Sequence, residues 1–94
     1  MRMKEQVVDT ILESMAKNGR PSTSDKAIEK LIECLEDAKL LVGTPTDSKY
    51  ETVDTQVYWL ISTDVMQYGK ASSNHIGAQR AYNVLSEAGL IAGE

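Results

Sequence analysis

Apolar positions recur with a helical period in four stretches, and polar or turn-forming clusters separate them. Over residues 4 to 17, Val7, Val8, Ile11, Leu12 and Met15 share one side, and Lys4, Glu5, Asp9, Glu13 and Lys17 take the other. Asn18-Gly19 closes this first helix, and Arg20-Pro21 cannot continue it, because the residue before proline is pushed toward extended geometry. Ser22, Thr23 and Ser24 are candidate caps for a second helix; with Ser24 as the cap, Asp25 falls in a first turn that favours negative charge. Ile28, Leu31, Ile32 and Leu35 then follow the i, i+3, i+4, i+7 spacing of one buried face. Glu29, Lys30, Glu33 and Glu36 form the opposite, solvated side.

The period changes after that. Leu40-Leu41-Val42 is a short apolar run, residues 43–48 are a polar turn cluster, and Lys49-Tyr50-Glu51-Thr52-Val53 is β-prone, a pattern that predicts a β-hairpin. A third helix is expected from a cap at Asp54 or Thr55 to about Tyr68, with Leu60, Ile61, Val65 and Tyr68 inside. Trp59 and Met66 lie near the edge of that stripe, and Trp59 reads as a core or interface residue. Ser72, Ser73 and Asn74 cap a fourth helix that carries Ala78, Ala81, Tyr82 and Leu85. Gly77 sits early in it, where glycine is unfavourable, so it permits a close backbone approach or marks a later helix start. Ala88-Gly89 ends the helix, and Leu90-Ile91 is expected to pair as an edge strand.

The second half repeats the first. Residues 19–43 align without a gap on residues 69–93, fifty positions later, with Gly19/Gly69, Ser22/Ser72, Leu35/Leu85, Ala38/Ala88, Leu40/Leu90 and Gly43/Gly93 identical. Val7/Val57 and Ile11/Ile61 extend the match upstream. The expected architecture is therefore mainly α: a tandem helix-turn-helix repeat with a short β-hairpin, winged-helix-like. One domain over 1–94 comprises a first helical unit at 4–43, a hairpin or wing at 44–53 and a second unit at 54–94. A copy of about forty residues is too small to stand alone, so the copies share a core or the chain forms a homodimer.

Composition narrows the chemistry. A net charge of −4 and a pI near 4.9 do not point to nucleic acid, although a local basic face is compatible with both. The single cysteine, Cys34, allows no intrachain disulfide and reads as an ordinary helix residue. The N-terminal residues lack a signal-peptide h-region, and no apolar run reaches the length of a membrane span, so a cytoplasmic protein with no membrane association is expected. One His and one Cys supply too few soft ligands for a zinc site, and no nucleophile and base can be paired; the expectation is no enzyme, no metal and no cofactor.

Lys70-Ala71-Ser72-Ser73, Ile76-Gly77, Arg80-Ala81 and the exit Glu87-Ala88-Gly89-Leu90-Ile91 resemble the C-terminal DNA-reading γ domain of FtsK-type DNA translocases, and more broadly winged helix-turn-helix domains. Both copies are several residues shorter than that family between the Ser/Thr cluster and the next helix. The resemblance implies DNA reading by Asn74, His75, Gln79 and Arg80. Asn and Gln suit adenine and Arg suits guanine in the major groove. Lys70 would hold phosphate before the helix, whose first amides favour an anion; Ser72 belongs to the same DNA-binding set, Asn83 extends the polar face, and Lys49 reaches from the wing. The alternative for these residues is a cap at Asn74 and an ordinary solvated face at Gln79, Arg80 and Asn83.

Two functions follow as expectations. The first is a small DNA-binding or DNA-associated regulatory module that uses the fourth helix on double-stranded DNA. The second is an acidic protein–protein interaction module, a small adaptor or inhibitor of a larger complex, that meets a basic protein surface through Glu29, Glu33 and Glu36. A phage or plasmid origin is compatible with the small size.

Overall fold

The computed structural model describes residues 3–23 and 26–94. Four helices follow one another: α1 (Met3–Asn18), α2 (Lys26–Asp37), α3 (Val53–Tyr68) and α4 (Asn74–Glu87). The proposed cap at Ser24 and first-turn charge at Asp25 lie outside the described residues. Each of α1 and α3 lies against both α2 and α4, so the helices enclose one core.

Residues fifty apart take matching places in that core. Val7 and Val57, Ile11 and Ile61, Leu31 and Ala81, Ile32 and Tyr82, Leu35 and Leu85, and Leu40 and Leu90 are all buried. The helix ends match as well. Leu40 N–H donates to Leu35 O and Leu90 N–H to Leu85 O, both at 3.0 Å. Lys39 (φ 57°) and Gly89 (φ 73°) supply the left-handed residue this closure requires.

The expected winged-helix arrangement is corrected by the structure: among the described residues there is no strand and no β-hairpin. Leu40–Val42 does not turn back onto Lys49–Val53. Its partner is the exit of the second copy. Leu41 forms an isolated antiparallel bridge with Ile91, with Val42 N–H on Leu90 O at 3.0 Å and Ala92 N–H on Leu40 O at 2.8 Å. These two bonds exchange when each number is shifted by fifty, so a local twofold relates the two halves at this point. The physical reason is burial. Leu40, Leu90 and Ile91 are all inside, and pairing them to each other satisfies their backbone where water is excluded.

The connection that should have been the wing is irregular and is held by side chains. Thr46 N–H donates to Gln56 Oε1 (2.9 Å), Gln56 Nε2 donates to Thr46 Oγ1 (2.8 Å), and Thr46 Oγ1 donates to Ala88 O (2.6 Å). Gln56 is thereby satisfied although buried. The β-prone residues 49–53 lead straight into α3. Its cap is Thr52, whose hydroxyl accepts from Thr55 N–H at 3.2 Å, rather than Asp54 or Thr55. In the same way Ser73 caps α4 by accepting from Ile76 N–H, and Asn74 is the first helical residue.

Helix α3 shows a second correction. Its buried side is Val53, Gln56, Val57, Ile61 and Val65, while Leu60 is half-buried and Tyr68 is exposed. Trp59 is 51% exposed and Met66 76%. Apolar residues surround much of this helix, so its period alone did not mark one face. Gly77, by contrast, answers a close approach: a Cβ there would lie 3.2 Å from Met15 Cε and 3.2 Å from Ala71 Cβ.

Candidate functional site

The residues expected to read DNA are placed unevenly. Lys70, Ser72, His75, Gln79, Asn83 and Lys49 are exposed, and Asn74 is half-buried. Arg80 is committed inside the protein. Its Nη2 and Nε donate to Asp64 Oδ2 at 2.7 and 3.0 Å, and Nη2 also reaches Asp64 O (3.2 Å) and Gly69 O (3.1 Å). Its guanidinium lies 5.4 Å from the centroid of the Tyr68 ring. This fork joins the end of α3 to α4 and engages the Nε and Nη2 edge that a bidentate contact with guanine would use.

Lys49, Arg80 and Asn83 come together on one groove with Tyr50, Trp59 and Tyr68, but Asp64 and Glu87 line the same groove. Lys49 Nζ is 4.0 Å from Asp47 Oδ2 and 5.2 Å from the centroid of the Tyr50 ring. Asp64 and Glu87 on the groove weaken its attraction for phosphate, while the exposed Lys49–Asp47 contact contributes little. Lys70, Ser72 and His75 are not on this groove.

The acidic residues of α2 are brought together. Glu29, Glu33 and Glu36 lie at i, i+4 and i+7 and line a cleft of about 380 Å³ between α2 and α3, with Ile32 at its floor and Asp54, Thr55 and Tyr58 opposite. Asp54 reaches it because it is in the first turn of α3, directly after the Thr52 cap. Lys30 contacts Glu33 at 3.4 Å, an exposed pair that contributes little.

Carboxylates this close repel one another. The Glu36 carboxyl is pushed up to about 7, first by a hydrogen bond shared with Asp54, then by partial burial and by the negative charges of Asp54, Asp37 and Glu33. The charges of Asp54, Asp37 and Glu33 around Glu36 give this end of the cleft a negative potential that a cation would relieve.

The second half of the chain serves as an internal reference for what the fold needs. The positions matching Glu29, Glu33, Glu36 and Asp54 are Gln79, Asn83, Ser86 and Lys4, fifty residues away in each case. None of them is acidic, and Lys4 lies 5.5 Å from the centroid of the Tyr82 ring in the corresponding place. The fold is therefore built in one half without carboxylates at these four positions, where Glu94 instead accepts from Tyr82 and Ser86. Sequence reasoning assigned Asp54 only to capping and left Tyr58 out of the site. The signal that would have found Asp54 is its exchange against Lys4 in the alignment of the two halves.

Among the described residues no group of three or more His, Cys, Asp or Glu is arranged to hold a metal ion, and no helix is long and apolar enough to cross a membrane. In comparisons with known proteins the chain matches no family model, no curated protein and no solved structure.

Proposed function

We propose that this chain is a non-catalytic protein-interaction module that receives a basic segment of another protein in the α2/α3 cleft. One observation carries the reading: four carboxylates, Glu29, Glu33, Glu36 and Asp54, line a single cleft where the equivalent positions of the other half carry none. Complementary charge speeds encounter and sets register, and an arriving Lys or Arg side chain would favour the ionised form of the Glu36 carboxyl. The engagement of Arg80 with Asp64 and a net charge of −4 weigh against the rival DNA reading on α4.

The test is a titration of the protein with oligolysine and, separately, with a random DNA duplex, followed by amide NMR at low and moderate salt. Oligolysine is expected to shift residues along α2 and the start of α3. Replacing Glu29→Gln, Glu33→Asn and Glu36→Ser, the residues of the matching positions, should weaken that binding by about tenfold or more. Salt-sensitive shifts at residues 70–83 with the duplex, untouched by these substitutions, would instead establish the DNA reading.

A further inference from the structure

The outward face of α3 does not behave like that of a helix with only solvent before it. Trp59 and Met66 are exposed at 51% and 76%, and Ser62, between them, leaves the strip open. Tyr58 sits edge-on to Trp59, with ring centroids 5.9 Å apart, and is the one residue that lines both this strip and the acidic cleft. The strip and the cleft are thus one continuous surface.

The internal reference applies again. The residues matching Trp59 and Met66 are Asp9 and Ala16 on α1, and both are exposed. At these positions the fold accepts a charged side chain and a methyl group. Two large apolar side chains in their place cost solvation without adding to the core. Such residues are the usual anchors of an interface, aromatic and methionine side chains above all.

The geometry points to a cationic amphipathic helix of another protein as the occupant, its apolar side on Tyr58, Trp59 and Met66 and its Lys or Arg side chains on Glu29, Glu33, Glu36 and Asp54. This rests on the acidic-cleft reading above and adds the apolar half of the site. Thr55 to Met66 spans about 16 Å along α3, the length of about three helical turns. Apolar and acidic rows lie side by side on this surface, and only a ligand with two adjacent faces can match both; a helix presents them at i, i+3 and i+4. A second copy of this chain is a poor occupant, because it would bring another net charge of −4 against the carboxylates.

Trp59 is the sole tryptophan, so its emission reports the strip directly. The probes are a Leu/Lys amphipathic peptide of about 15 residues, long enough to form a helix, and an oligolysine of equal charge. Fluorophore-labelled forms of both allow affinities to be read by anisotropy. The amphipathic peptide is expected to shift Trp59 emission to the blue and to bind about tenfold tighter than oligolysine. The exposed pair Trp59→Ala and Met66→Ala should erase that difference and leave oligolysine binding unchanged. If oligolysine binds, the amphipathic peptide binds no tighter and Trp59 emission stays constant, the inference is overturned and the acidic cleft stands. Should neither probe bind, the cleft reading fails and the inference with it. Equal binding of the amphipathic peptide to the Glu29→Gln, Glu33→Asn, Glu36→Ser variant would overturn the cationic occupant. A dimer in sedimentation that Trp59→Ala and Met66→Ala dissociate would assign the strip to a second copy.

Discussion

Leu41 pairs antiparallel with Ile91, the residue that stands in its place fifty positions later. The bridge ties the exit of α2 to the exit of α4, and the side chains beneath it come from both halves. Neither half encloses a core by itself, because α1 lies on α4 as well as on α2, and α3 on α2 as well as on α4. Unfolding should therefore be one cooperative event.

Leu35 and Leu85 test this. Both are fully buried at matching positions. Leu35→Ala and Leu85→Ala are each expected to cost about 2–5 kcal/mol, with a single transition in urea by both circular dichroism and Trp59 fluorescence. Two separated transitions would mean that the halves fold independently.

Lys39 takes the left-handed conformation at φ 57°, where Gly89 stands in the other half at φ 73°. A side chain in that region is strained and glycine is not. Lys39→Gly should stabilise the protein by about 1 kcal/mol, and Gly89→Ala should destabilise it by a similar amount. Chemical denaturation checks both signs.

Gly77 and Met15 are matched in volume. Their counterparts are Ala27 and Val65, a larger residue where glycine stands and a smaller one where methionine stands. Gly77→Ala gains helix propensity of about 1 kcal/mol but crowds Met15 Cε and Ala71 Cβ, both at 3.2 Å, so its stability should be no higher than that of the parent. Combined with Met15→Val it should exceed the sum of the single effects by at least about 0.5 kcal/mol in a double-mutant cycle.

Arg80 and Asp64 keep only 24% and 16% of their side-chain surface exposed. Arg80→Ala should cost about 1–3 kcal/mol, because it strands a partly buried carboxylate and leaves Gly69 O without this donor. Arg80→Lys should recover part of the loss only, since an ammonium cannot reproduce the fork. Thermal melts of the two variants separate these outcomes.

Glu36 supplies a pH prediction. Its carboxyl sits at about 7 in the folded protein, above its ordinary value of 4.5, so the native state holds the extra proton between those limits. Stability from this group is complete below about pH 4.5 and is lost as pH rises through 7. The group faces solvent, so the loss should stay below about 1 kcal/mol. Binding of a cationic segment should run the other way and strengthen as pH rises through 7, because it requires the ionised form. Side-chain NMR should show Glu36 titrating near neutrality, and Asp54→Asn should return it toward the usual carboxylate range.

The positions of the helices were legible because burial on one side writes a period into the chain. Ile28, Leu31, Ile32 and Leu35 could belong to no other element, and the glycines at 19, 69 and 89 marked ends that the backbone then took at positive φ. The outward face of α3 was harder to read. Trp59, Met66 and Tyr68 are as apolar as a core residue, and composition alone does not distinguish a side chain hidden by its own fold from one left outside it. Their matches, Asp9, Ala16 and Asn18, carried the missing information.

By itself the sequence determined the stripes of α1, α2 and α4, the glycine-marked helix ends and the duplication, all set by interactions within about one turn or by direct comparison of residues. Tertiary structure decided the partner of Leu40–Val42, the employment of Arg80 and the meeting of Asp54 with the α2 carboxylates. Each of these is a contact between segments distant in the chain. A β-prone run pairs with whichever edge burial brings beside it, and a charged side chain is free or committed according to what packing places within reach.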